Sequence, residues 1–177
     1  MTSAVRFRGM RVAPIALSVV AVAVVAAGCF PNGEYPDTSL TVVTESCRTV
    51  NEVARPLQEM MWDAYLQGVQ LRPETVSYAL PGWNPPGIES CYRSLEGQQW
   101  WRNYYCFWGN CGMAAVPGTS VHGHGKAVDF QDQFGELTFD SPGYVYLANN
   151  AWRFGFFHPD WAEWWSPNAE AWHWEHS

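Results

Sequence analysis

Two short segments that lie far apart in the sequence place the strongest constraint on how this chain folds. The first contains Ser120, His122 and Asp129 in a glycine-rich run, and the second contains Glu170 and His173 between tryptophans. Catalytic zinc binds histidines and a carboxylate, keeps one position open for water, and uses a further carboxylate to move protons. The glycines of the first segment permit a tight turn that returns His122 and Asp129 to one point. If the two segments form one metal site, the fold must bring them together.

The N-terminus has the composition of an export leader. Three arginines precede an uncharged apolar run over 13–27, and small residues come directly before Cys29. This pattern is typical of a bacterial lipoprotein signal, although a secretory signal or a short membrane anchor would share much of it. We predict a lipoprotein signal peptide over 1–28 and a lipid on Cys29. The mature chain would then be exported to the cell envelope and anchored to the outer face of the plasma membrane, or secreted.

The cysteine count agrees with export. Without Cys29, four cysteines remain, and in an oxidising compartment they can form two disulfides with three possible connectivities. Cys106 and Cys111 flank a short loop containing Gly and Asn, which favours a disulfide between them and leaves Cys47 to pair with Cys91. The chain has no Cys-x-x-Cys pair, which argues against a zinc cluster built from cysteines.

Charge limits the partners of the mature chain. Three of the ten Lys and Arg residues lie in the leader and none of the 17 Asp and Glu residues does, so the mature net charge is −10. A chain this acidic is poorly suited to binding nucleic acid or an anionic membrane surface by electrostatic attraction. We expect a monomer whose contact with the membrane is made through the N-terminal lipid.

The rest of the chain predicts one domain behind a tether. Residues 29–45 are rich in Pro, Gly, Asp, Ser and Thr, as in a tether, which leaves 46–177 as the folded domain. Apolar residues at helical spacing follow from Val50 to Tyr65, where Pro56 would kink or break the helix.

Further elements follow from caps and periodicity. We predict a helix over 94–105 beginning at a Ser N-cap, a strand over 126–130, and a helix that starts at Ser141-Pro142 and ends at Gly155. This mixture predicts an α+β single domain with a small antiparallel sheet flanked by helices.

Glu170 and His173 stand three positions apart, so one can bind a metal while the other lies beside the metal-bound water. Read alone, they would be a surface carboxylate and a histidine near a frayed end. The neighbouring Trp172 and Trp174 argue against that interpretation, because indoles rarely decorate a disordered tail.

Three ordered motifs resemble those of the VanY-like D-alanyl-D-alanine carboxypeptidases, which are zinc peptidases of the bacterial cell wall. They are Ser-x-His-x-x-Gly-x-Ala-x-Asp over 120–129, Glu-x-Trp-His-Trp over 170–174, and Ser-Cys-Tyr-Arg-Ser-Leu-Glu-Gly-Gln over 90–98. The resemblance covers most of residues 46–175. It implies the α+β fold of that family, which Hedgehog-like domains share.

The resemblance also implies roles for individual residues. His122, Asp129 and His173 would bind Zn²⁺, and Glu170 would be the general base and acid. Arg93 would bind the carbonyl or carboxylate of the substrate and stabilise the oxyanion.

Three more residues would shape the substrate site. Gln98, Ser120 and Trp172 would contribute to substrate binding, and Ser120 would in addition orient a metal ligand. The implied substrate is a peptidoglycan stem peptide, from which the terminal D-Ala of a D-Ala-D-Ala end is removed. Endopeptidases and D,D-dipeptidases share this ligand set. An alternative of another class is a non-catalytic, zinc-stabilised module that binds the wall.

The sequence departs from the family pattern in two places. Cys91 stands where glycine is usual, which suits a disulfide and would affect the position of Arg93. His124 lies two residues beyond His122 and is an alternative metal ligand. Among the other histidines, we expect His158 to be structural or to lie at the cleft edge, and His176 to belong to the tail.

Overall fold

The computed structural model describes residues 30–75 and 90–177. The predicted signal peptide over 1–28 and the lipidation site Cys29 lie outside the described residues. Among the helices of the described part, none has the length and apolar character needed to cross a bilayer.

The described part of the chain contains three α-helices and seven short strands. The helices are α1 (Asn51–Leu66), α2 (Leu95–Phe107) and α3 (Pro142–Asn150). The strands are β1 (Leu40–Thr44), β2 (Cys47–Val50), β3 (Arg72–Pro73), β4 (Ala127–Asp132), β5 (Gly135–Glu136), β6 (Phe156–Phe157) and β7 (His173–His176). This architecture confirms the predicted α+β domain with small antiparallel sheets between helices.

The central sheet brings the two motif segments together. Its strands are antiparallel in the order β3-β4-β7-β6, and β5 pairs with β4. In the pairing of β4 with β7, Asp129 lies opposite His173 and Val128 lies opposite Trp174. The C-terminal segment is therefore a sheet partner of the first motif rather than a loose tail, and His176 belongs to β7.

Residues 30–45 do not form the predicted tether. β1 pairs antiparallel with β2, so it is joined to the domain by backbone hydrogen bonds along one edge. Earlier in this stretch, Gly33 N donates to Gly123 O at 2.8 Å, and Asn32 Nδ2 donates to Ser120 O at 2.7 Å. Turn-forming composition describes 30–39 correctly, but these long-range hydrogen bonds hold the segment against the first motif.

α1 supplies one side of the core. Five of its apolar residues recur at helical spacing and are buried: Val53, Ala54, Leu57, Met60 and Ala64. The helix continues through Pro56 without a break. The buried face packs in one cluster with Phe130 of β4 and Phe156 of β6, so the rear of the central sheet is covered.

The predicted helix starts are confirmed. The Ser94 side chain accepts a hydrogen bond from Gly97 N at the start of α2, and the Ser141 side chain caps α3 in the same way. Each satisfies an otherwise unpaired N–H of a first helical turn. α2 runs two residues beyond the predicted end, to Phe107.

Both predicted disulfides are present, Cys47–Cys91 and Cys106–Cys111. The first ties β2 to the segment that carries Arg93. Hydrogen bonds flank it, because Tyr92 N donates to Arg48 O at 2.7 Å and Asp129 N donates to Ser90 O at 2.8 Å. The segment before α2 is thereby fixed beside β4.

Candidate active site

The side chains of His122, Asp129 and His173 converge on one point. His122 Nε2 lies 3.2 Å from His173 Nδ1 and 3.2 Å from Asp129 Oδ1, and the last two atoms are 3.1 Å apart. A tetrahedral zinc ion with bonds of about 2.0–2.1 Å separates its ligand atoms by about 3.3 Å. All three residues are buried. The spacing and chemistry of these three donors therefore fit a metal ion.

Local structure explains how His122 reaches this point. It lies in a 3₁₀ turn over Val121–His124 that ends at Gly125, whose φ of +65° is in the left-handed region that favours glycine. A Cβ on residue 123 would collide with Asn32 Oδ1 and Gln98 Nε2. The two glycines of the motif are therefore required, one by backbone conformation and one by close packing.

His122 presents the correct nitrogen for metal binding. Its Nδ1 lies 2.8 Å from the Cys91 carbonyl oxygen, which can only accept a hydrogen bond. Nδ1 therefore carries the proton and Nε2 faces the cluster with its lone pair. Burial holds the pKa of His122 below its usual range, which favours the neutral imidazole that a metal requires.

Asp129 and His173 have pKa values shifted in opposite directions. Burial alone would raise the pKa of Asp129, but the adjacent His122 and His173 outweigh it and hold that pKa well below its usual range. Burial alone would lower the pKa of His173, but its hydrogen bonds with Asp129 and Glu175 raise it to about 9. A metal that binds here must therefore displace a proton from His173 at neutral pH.

Three hydrogen bonds hold the backbone of Glu170 in place. Its N–H donates to Ala162 O at 2.8 Å, and its carbonyl accepts from His158 Nε2 at 3.0 Å and from His173 N at 3.1 Å. Burial, aided by the charge of Asp129, raises the pKa of Glu170 to about 7. A carboxylate with a pKa near neutrality can both accept and return a proton.

Arg93 lies on the other side of the cluster. Its backbone N–H donates to His122 O at 2.9 Å, and its side-chain Nη2 lies 3.2 Å from Asp129 Oδ2. The guanidinium stands 5.7 Å from the centre of the Trp101 ring. Within the described residues, its Nε is buried without a hydrogen-bond partner. Arg93 therefore has donor capacity left for an anionic or carbonyl group.

A cavity of about 450 Å³ joins these groups. The three candidate ligands, Arg93 and Glu170 all line it, and its aromatic wall consists of Trp101, Tyr105, Trp161 and Trp172. Such a volume is within the range of small-ligand sites. The cavity is the right size for a short peptide end beside the candidate metal centre.

The loop after α2 forms another wall of the cavity. Residues 112–115 line it, and the Cys106–Cys111 disulfide joins the start of this loop to α2. Arg102 Nη1 reinforces the connection by donating to the carbonyls of Cys111 and Ala114, each at 2.5 Å. The wall is therefore anchored by a covalent bond and by two hydrogen bonds.

The structure separates the predicted substrate residues. Ser120 and Trp172 line the cavity, whereas Gln98 does not. Gln98 is 3% exposed, its Nε2 donates to Asn32 Oδ1 at 2.9 Å, and its Oε1 accepts from Gly118 N at 2.8 Å. Gln98 therefore lies outside the cavity lining, and its contact with substrate stays a prediction. Its side-chain amide instead joins the loops that contain Asn32 and Gly118.

The remaining histidines occupy different places. His124 is exposed and lies against Tyr35, with its Nδ1 3.5 Å from the tyrosine hydroxyl, so it is not part of the ligand cluster. His158 Nε2 lies 3.0 Å from the Glu170 carbonyl oxygen, and His158 Nδ1 lies 3.2 Å from Glu163 Oε1. His122 is therefore the histidine of the first motif that reaches the metal position.

Sequence reasoning missed three glutamates near the site. Glu74 and Glu136 line the cavity, and their carboxyl groups hydrogen-bond to each other. Burial, with the charges of Asp129 and Glu136, raises the pKa of Glu74 to about 8. No motif marks these two residues, because β3 and β5 reach the site only by pairing with β4.

The third glutamate, Glu175, lies behind the metal position. Its Oε1 is 3.1 Å from His173 Nε2. The signal for it was present in the sequence, because side chains two positions apart on a strand share a face. A strand assignment for His173-Trp174-Glu175 would have placed Glu175 beside His173.

No protein-family profile and no curated protein sequence matches this chain. Solved structures do. VanYB in complex with D-alanine-D-alanine is 25% identical, with a TM-score of 0.60 over 82% of this chain and 81% of that one. The VanY D,D-pentapeptidase from a VanB-type resistance cassette, in complex with Zn(II), is 25% identical, with a TM-score of 0.57 over 80% and 81%. The LdcB LD-carboxypeptidase has a TM-score of 0.60 at 21% identity, over 81% and 70%.

The shared fold and the convergent motif residues make this chain similar to carboxypeptidases of the VanY and LD-carboxypeptidase types. The two structures that are 25% identical confirm the resemblance to the VanY-like carboxypeptidases found in the sequence.

Proposed function

We propose that this protein is a zinc carboxypeptidase that removes the terminal D-Ala from peptidoglycan stem peptides ending in D-Ala-D-Ala. The observation that carries this proposal is the convergence of His122, Asp129 and His173 beside Glu170 in one cavity. The two structures that are 25% identical support it, because one is a complex with D-alanine-D-alanine and the other a complex with Zn(II).

Zinc is the metal that these donors suit best. Two imidazoles and one carboxylate, with room for water in the cavity, are the ligand set of catalytic rather than structural zinc. When bound, zinc would polarise the scissile carbonyl and lower the pKa of a water molecule.

Glu170 moves the proton. Its carboxylate accepts a proton from the attacking water and delivers it to the amine of the leaving D-Ala. Its pKa of about 7 in the metal-free protein places it close to the range where both transfers are efficient. The hydrogen bonds from His158 and His173 to its backbone carbonyl hold it at the cavity wall during both transfers.

Arg93 binds negative charge on the substrate. Its guanidinium donates to the C-terminal carboxylate, or to the oxygen that gains charge as the carbonyl is attacked. Arg93 lines the cavity, and the fork geometry of its guanidinium supplies these donors. Trp161 and Trp172 supply apolar walls for the peptide.

Two other activities use the same site. An endopeptidase or a D,D-dipeptidase would share the metal ligands and Glu170, and the walls of the cavity decide among these substrates. A non-catalytic wall-binding module is disfavoured, because such a module has no use for a half-buried carboxylate beside the candidate metal position.

The proposal includes a location. The leader over 1–28 and Cys29 would place the enzyme outside the cytoplasm, where stem peptides are exposed. The two disulfides support an oxidising compartment.

The test is the release of D-Ala from a stem pentapeptide by the purified chain, with and without added zinc. We expect release that a chelator abolishes and zinc restores. Glu170→Ala should bind zinc and release no D-Ala. Mass spectrometry of the products separates the activities, because loss of a single D-Ala defines the carboxypeptidase, and loss of a dipeptide or internal cleavage contradicts it.

A further inference from the structure

Glu175 stands behind His173 on the side away from the candidate metal position. Both residues belong to β7, two positions apart, so their side chains share one face of the strand. Glu175 Oε1 lies 3.1 Å from His173 Nε2. The two side chains are 13% and 5% exposed, so this contact is largely shielded from water.

The contact determines which nitrogen of His173 is free. Nδ1 lies 3.2 Å from His122 Nε2 and 3.1 Å from Asp129 Oδ1, and is therefore the atom that faces the metal position. A carboxylate can only accept, so Nε2 carries the proton when it bonds to Glu175. The lone pair of the neutral ring is then on Nδ1.

A second donor fixes the Glu175 carboxylate. The indole N–H of Trp161 also hydrogen-bonds to it. The Trp161 ring lies 4.8 Å from the His173 ring, centre to centre, and lines the cavity. Glu175 therefore connects a side chain of the cavity wall to a candidate metal ligand.

The other histidine has a weaker partner. His122 Nδ1 donates to a neutral carbonyl oxygen, that of Cys91. A carboxylate accepts a stronger hydrogen bond than a carbonyl and increases the basicity of the imidazole. The two imidazoles are thus oriented by different means, one by a backbone segment tied through a disulfide and one by a charged side chain.

We propose that Glu175 is a positioning residue for the metal, which fixes the orientation and tautomer of His173 and strengthens zinc binding. The proposal rests on the proposed function insofar as His122, Asp129 and His173 are the ligands. It adds a residue that lies outside the three sequence motifs and does not line the cavity.

The test measures zinc affinity rather than turnover. The full chain, purified in mild detergent, competes for zinc with a chromophoric chelator, and Glu175→Gln and Glu175→Ala are compared with the parent. Loss of an outer carboxylate commonly weakens metal binding by about 10–100-fold. We expect about tenfold weaker binding for Glu175→Gln, which retains an acceptor without the charge, and a larger loss for Glu175→Ala.

The chain offers a matched control. Glu163 Oε1 lies 3.2 Å from the Nδ1 of His158, which is 5% exposed like His173 but is not in the ligand cluster. Glu163→Gln removes the same charge beside an imidazole and should leave zinc affinity within twofold of the parent. A Co(II)-loaded sample gives a second readout, because the visible spectrum should change in the Glu175 variants and not in the control.

The outcomes separate this proposal from the proposed function. If the parent does not bind zinc, the proposed function fails together with this inference. If the parent binds zinc and both Glu175 variants bind it within twofold as tightly, the inference is overturned and the function stands. If Glu175→Ala shows no cooperative thermal unfolding, the affinity of the Glu175→Gln variant decides.

Discussion

The Cys47–Cys91 disulfide should contribute more to the free energy of unfolding than the Cys106–Cys111 disulfide. It closes a loop with a sequence separation of 44, whereas Cys106–Cys111 has a separation of 5. In the chain-entropy treatment, a loop of that longer length restricts the denatured chain by about 4 kcal/mol, against about 2 kcal/mol for the shorter one. The double variant Cys47→Ala/Cys91→Ala should therefore lose about twice as much unfolding free energy as Cys106→Ala/Cys111→Ala.

The burial of Cys47 and Cys91 should increase this difference in unfolding free energy. Cys47 and Cys91 are 1% and 0% exposed and belong to the core cluster, so their replacement also removes buried contacts. The Cys91 carbonyl accepts the hydrogen bond of His122, so relaxation of this segment reaches the metal position as well.

The assay is urea unfolding of the parent and both double variants, followed by circular dichroism under non-reducing conditions. Equal slopes of the three transitions would permit a direct comparison of free energies. A loss for Cys47→Ala/Cys91→Ala that is no larger than the loss for the other pair would contradict the chain-entropy explanation.

Four further outcomes are expected. The kcat/KM for D-Ala release should fall as the pH drops through an apparent pKa no higher than about 7, because Glu170 must be ionised to accept a proton. A bound cation would lower the pKa of Glu170 below that value. A pH-rate profile checks this expectation. Arg93→Gln should lower kcat/KM by about 10²–10³-fold, which steady-state kinetics would measure. Gly123→Ala should cost about 1–3 kcal/mol in unfolding free energy, because the new Cβ collides with Asn32 Oδ1. Cys29→Ala should move the protein from the membrane to the soluble fraction, which an immunoblot would detect.

The local signals in the sequence were sufficient for the parts of the site that carry the chemistry. Ligand types at motif spacing identified His122, Asp129 and His173, and the Ser94 cap identified the start of α2. These features depend on neighbours within a few residues, or on a motif in which the whole constellation recurs.

Long-range pairing determined what the sequence could not show. Residues 30–45 have the composition of a tether, yet β1 pairs with β2 and Gly33 N donates a hydrogen bond to Gly123 O of the first motif. Gln98 belongs to a recognisable motif, but its amide is directed to Asn32 and Gly118 rather than to the cavity.

The walls of the site were hidden for the same reason. Glu74 and Glu136 reach the cavity only because β3 and β5 pair with β4 in a particular register. Nothing in the residues next to them in sequence indicates that they contact each other. The chemistry of this site was therefore readable from the sequence, whereas its shape and substrate walls required the folded structure.

The proposed function depends on His122, Asp129 and His173 binding one metal ion beside Glu170. A crystal structure of the zinc-loaded protein, with anomalous diffraction recorded at the zinc edge, would show whether they do. We expect a single strong peak within about 2.0–2.2 Å of His122 Nε2, His173 Nδ1 and an Asp129 carboxylate oxygen, with the Glu170 carboxylate next to the open position. A peak bound instead by His124, or the absence of a peak from this cluster at saturating zinc, would contradict it.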